Sequence, residues 1–132
     1  MTMDITLTNG LSGEVVLTCQ GGVERGSVSD SLTDQQHIAV ILISIARKLG
    51  IHVVTLFDEE SSSSQANPYK ISLYQGDLPV VTADEDGVNV LNDTLAKKHV
   101  TDIMNALNAM SRACSVYRRL KFGPASLARP MA

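Results

Sequence analysis

The chain has 132 residues, 44% hydrophobic and 19% charged, with a formal net charge of −3. That is the size of one domain, able to bury roughly two thirds of its unfolded surface without a metal or a disulfide. No apolar run approaches the ~20 residues of a membrane span, and the first residues, with Asp4, Asn9, Glu14 and no basic start, do not read as a secretory signal, so a cytoplasmic protein is expected.

The chain opens as β structure. Met3, Ile5 and Leu7 alternate with Asp4, Thr6 and Thr8, a period of two. Asn9-Gly10 and Ser12-Gly13 mark a turn, after which Val15, Leu17 and Cys19 share a second alternating face. Two strands about a short Asn-Gly loop predict an antiparallel hairpin. Gly21-Gly22 turns the chain again, and residues 23–28 predict a third, weaker strand.

A helix is expected over about 33–49. Thr33 and Gln36 have capping-box spacing, Arg47 and Lys48 fall in the last turn, and Gly50 suits the left-handed position after it. Residues 38–43 are all apolar, so this helix must be covered on nearly every side. The strand predicted over Ile51–Phe57 is apolar on both faces, which places it mid-sheet. Residues 58–68, with three acids and four consecutive serines, read as a mobile surface loop. Tyr69–Tyr74, Leu78–Ala83 and Val88–Leu91 read as three further strands, the last two joined through an Asp84-Glu85-Asp86-Gly87 turn.

The last element is predicted to be a long helix over about 93–120, capped within Asn92–Thr94 and stopped by Gly123-Pro124. Ala96, Val100, Ile103, Leu107, Met110, Cys114 and Tyr117 follow one another at intervals of four and three, a heptad seam. A straight helix of this length would run about 42 Å. A compact chain of this size is roughly 36 Å across. The helix therefore spans the whole domain, kinks, or projects into a partner.

Chemistry-bearing residues are scattered. Cys19 and Cys114 read as two buried thiols of a reducing compartment rather than a disulfide or half of a zinc site. His37, His52 and His99 each stand without a nucleophile or a ligand partner in sequence. Residues 21–27 (GGVERGS) lack the lysine of a phosphate loop. The DEDGVN run beginning at Asp84 lacks the closing glutamate of a calcium loop, because Leu95 stands in that place. No catalytic residue, metal or cofactor is expected.

Charge is unevenly divided. Residues 1–96 carry 13 acids and 4 bases, a net −9, whereas residues 97–132 carry 1 acid and 7 bases, a net +6. An acidic body with a basic end fits a charged partner or self-association.

The expected architecture is α+β: an antiparallel sheet of five to seven strands packed by the buried helix 33–49 and the long helix 93–120. Residues 1–120 form the domain and 121–132 a flexible basic tail. The expected function is non-enzymatic protein binding, of the chaperone, adaptor or inhibitor/immunity type, by an acidic cytoplasmic homodimer. Met104, Leu107, Met110 and Tyr117 would supply apolar contact, and Arg118, Arg119 and Lys121 positive charge, with the acidic loops 58–60 and 84–86 steering association. One alternative is a small enzyme or ligand-binding domain with a pocket between sheet and last helix, using His52 or His99. Another is nucleic-acid binding through the basic end, opposed by the acidic body and the 4% aromatic content.

Overall fold

The computed structural model describes residues 3–20, 23–26, 28, 32–54, 67–113 and 121–123. In chain order these form β1 (Asp4–Asn9), β2 (Val15–Gln20), β3 (Val23–Gly26), α1 (Leu32–Lys48), β4 (His52–Val54), β5 (Tyr69–Gln75), β6 (Leu78–Asp84), β7 (Gly87–Val90), α2 (Asp93–Lys98), α3 (Val100–Arg112) and β8 (Lys121–Gly123). The class is α+β, as expected. Among the described residues the main sheet has six antiparallel strands in the order β3-β2-β1-β5-β6-β7.

Register explains which side of the sheet is buried. Cys19, Ile5, Leu73, Val81 and Val90 stand in one row across the strands, and Leu17, Leu7, Ile71, Ala83 and Val88 in the next. Both rows belong to the core. The intervening row, Thr18, Thr6, Ser72, Thr82 and Asn89, is polar and lies on the opposite face. This is the two-sided alternation of an antiparallel sheet with helices on one side. Val15 departs from it. A bulge after Leu7 pairs Thr8 with Val15, adds Val16 to the strand and turns Val15 outward, where it is exposed.

Helix α1 occupies the centre. Ile38, Ala39, Ile41, Leu42, Ile43, Ile45 and Ala46 are all buried, and the helix touches β4, β5, β6, β7 and α3. Burying each of the large side chains is worth roughly 1.5–3 kcal/mol of transfer free energy. The helix closes in a Schellman turn: Gly50 N–H donates to Arg47 O and Ile51 N–H to Ala46 O, with Gly50 at φ +74°.

That tight closure bears on β4. Of the strand expected mid-sheet over 51–57, the described part, His52–Val54, is not in the main sheet, and residues 55–57 lie outside the described residues. Among the described residues His52–Val54 pair with β8, Val53 opposite Phe122, in a separate two-stranded ladder. Helix α1 contacts β4 and helix α3 contacts β8, so this small ladder packs against helices rather than within the main sheet. Two-faced hydrophobicity reports burial, and here the covering layer is helical.

The long C-terminal helix is also corrected. It breaks at His99, whose φ −111° and ψ 29° lie outside the helical region, giving α2 and α3. The break carries α2 against β6 while α3 crosses β1 and β2 and touches α1 and β8. A straight rod would overrun the domain, so the kink keeps both seams on the core. Helix α3 ends at Arg112; residues 114–120, with Cys114 and Tyr117, lie outside the described residues. Of the expected tail, Lys121–Gly123 form β8, and residues 124–132 are outside the description. The acidic loop 58–60 is outside it too. No helix among the described residues is long and apolar enough to cross a membrane.

Candidate functional site

The last strand of the sheet is where chain and surface meet most openly. β7 pairs with β6 on one side and, among the described residues, has no strand on the other. Its residues alternate between bonding inward and pointing outward. Asp84 faces Gly87 across the hairpin and Leu91 N–H donates to Val80 O, so the inward pairs fall at Gly87, Asn89 and Leu91. The amides and carbonyls of Val88 and Val90 therefore face the open edge. β7 carries neither proline nor lysine, the residues that usually block strand addition.

Beside this edge runs a groove of about 550 Å³, between the end of α1, β7 and α2. Leu49, Val88, Val90 and Leu91 give it an apolar lining, and Lys48 and Lys97 stand in it with Asp93. Leu91 is 55% exposed, a large apolar side chain left in water. Lys97 Nζ pairs with Asp93 Oδ2 at 3.0 Å, one helical turn apart. Asn92 caps α2, its side-chain oxygen accepting from Leu95 N–H at 3.1 Å.

The acidic turn stands at the other end of β7. Asp84 Oδ1 accepts from Asp86 N–H, and Glu85 Oε2 accepts from Asn67 N–H at 2.8 Å. Asn67 also donates from Nδ2 to His37 O and accepts Tyr69 N–H on Oδ1. The turn is thus anchored, and Glu85 and Asp86 present their charge from a fixed position in solvent.

The histidines fall in three settings. His99, at the α2–α3 break, places Nδ1 at 3.2 Å from Asp102 Oδ2 and Nε2 at 2.9 Å from Gln75 Nε2. A carboxylate that orients imidazole is half of a general-base device. Here the second nitrogen faces an amide rather than a nucleophile, and the group instead ties the helix break to the end of β5. His52 is half-buried in the β4–β8 ladder. His37 is buried in α1, with neither ring nitrogen hydrogen-bonded. Among the described residues no three His, Cys, Asp or Glu side chains cluster to hold a metal.

The expected contact residues are differently placed. Leu107 and Met110 are fully buried and Met104 nearly so, packed within the chain's own core. The heptad seam is accordingly internal over α3. Tyr117, Arg118 and Arg119 lie outside the described residues, and Lys121 is in β8. The groove residues Lys48, Val88, Val90, Leu91 and Lys97 were not singled out as a surface in the sequence. No side-chain pattern marks them, because an open strand edge is a property of strand order and not of side chains. No protein-family model matches the chain, and neither a curated protein nor a solved structure is significantly similar to it.

Proposed function

We propose that the protein is a non-enzymatic protein-binding module of the cytoplasm, of chaperone, adaptor or inhibitor type, acting through the open β7 edge. The observation that carries this reading is a strand edge that no described residue pairs with, beside an apolar, lysine-bearing groove. Strand addition would use the Val88 and Val90 backbone for affinity and the groove for side-chain selection. The acidic turn 84–86 would steer the approach of a charged partner. The basic residues Arg118, Arg119 and Lys121, with Tyr117, form a second contact in this reading.

Two measurements test it. In-cell cross-linking followed by mass mapping should join Lys48 and Lys97 to another polypeptide chain. A thermal-shift screen against nucleotides, metabolites and divalent metals should leave the melting midpoint unmoved. A clear upward shift with one small molecule, and no cross-links at the groove lysines, would replace binding of a protein with binding of that ligand. Nucleic-acid binding would instead show affinity collapsing as salt rises.

A further inference from the structure

The β7 edge has a property that selects its occupant: its charge is unevenly divided along the strand. Before Gly87 stand Asp84, Glu85 and Asp86, the last two exposed. Lys48 and Lys97 line the groove beside Val88–Leu91, Lys97 paired with Asp93, so the lining is net positive by one. An acidic turn thus leads into the strand and a weakly basic groove flanks its later residues. A parallel neighbour of the same kind would set like charges together. An antiparallel copy related by a twofold axis would set each acidic turn beside the other's lysines.

We propose that the groove is occupied by a second copy of this chain, whose β7 pairs antiparallel with β7 and joins two six-stranded sheets into one continuous sheet. The proposal rests on the protein-binding reading above and names its partner. Such an interface is isologous: one patch serves both copies. Val88 and Val90 of each copy supply the outward amides and carbonyls. Leu91 leaves water, and the unsubstituted Gly87 position leaves room at the strand's other end. Asp86 of one copy lies beside Lys48 and Lys97 of the other, twice over. The opposite sheet edge is less suited to this. β3 carries exposed Arg25, a charge on the edge that β7 lacks.

The test is solution mass by light scattering on the full chain, across a wide range of concentration. The expected species has twice the 14.2 kDa chain mass. Two variants then reverse one end of the edge each: Asp86→Lys, and Lys48→Glu with Lys97→Glu. All three side chains are on the surface, and an unchanged circular dichroism spectrum establishes folding. Either variant alone places like charges at both ends of the dimer and should raise its dissociation constant about tenfold or more. Mixed in equal amounts, the two variants should regain the dimer, because both ends of the mixed pair are again complementary. A monomer at every concentration would overturn self-pairing; groove cross-links to a foreign chain would still uphold the protein-binding reading. A dimer indifferent to both variants would overturn the β7 edge as its interface.

Discussion

His37 is a buried imidazole whose two ring nitrogens make no hydrogen bond, an arrangement that costs free energy on folding. Removing the polar atoms removes that cost. His37→Leu should therefore hold or raise stability, by up to about 1–3 kcal/mol, as read from urea unfolding midpoints. A loss of similar size would mean that the ring's shape matters more than its unmet bonds. Gly26 is constrained in the opposite sense. A β-carbon there would come 2.3 Å from Val16 O, and the φ of +106° is one that side-chain-bearing residues rarely adopt. Gly26→Ala should cost at least about 1–3 kcal/mol from backbone strain alone, and amide exchange should quicken first in β3 and β2.

Two asparagines act at the scale of the element. Asn92 closes the start of α2, and Asn92→Ala should cost about 1 kcal/mol, the usual loss of a side-chain cap. Asn108 holds the small ladder. Its Nδ2 donates to Phe122 O at 3.0 Å and its Oδ1 accepts Phe122 N–H at 2.9 Å, so one amide satisfies both main-chain groups of that residue. Asn108→Ala leaves those groups without that partner next to buried Phe122 and should cost about 1–3 kcal/mol. The effect should be local: proteolysis near 121–123 should accelerate more than the global unfolding midpoint falls. Equal changes in both would mean that β8 and the main sheet unfold as one unit.

At the scale of the molecule, an acidic turn and a weakly basic groove lie along one sheet edge. Association through that edge should weaken as salt is raised, because contacts between exposed charges are screened beyond a Debye length of about 8–10 Å at moderate ionic strength. Light scattering at low and high salt reads this directly. A dimer that tightens with salt would point to an interface of mainly apolar character.

What the sequence alone determined is local or periodic. The alternation of Met3, Ile5 and Leu7, the unbroken apolar run of residues 38–43 and Gly50 after Arg47-Lys48 are enough to place β1, α1 and its stop, because side-chain period and turn chemistry act over a few residues. The α+β class follows from those elements. Tertiary structure decided the rest. The residues of β4 read identically whether sheet or helix covers them, and only the reversal after Gly50 settles that it pairs with β8. The heptad from Ala96 onward continues through His99 without a gap, so period alone does not announce the break, at which His99 meets Gln75 and Asp102. Met104, Leu107 and Met110 have the spacing of an interface and the burial of a core, since period specifies a face and not what covers it. The β7 edge became visible only with strand order, because an unpaired backbone carries no mark in its side chains.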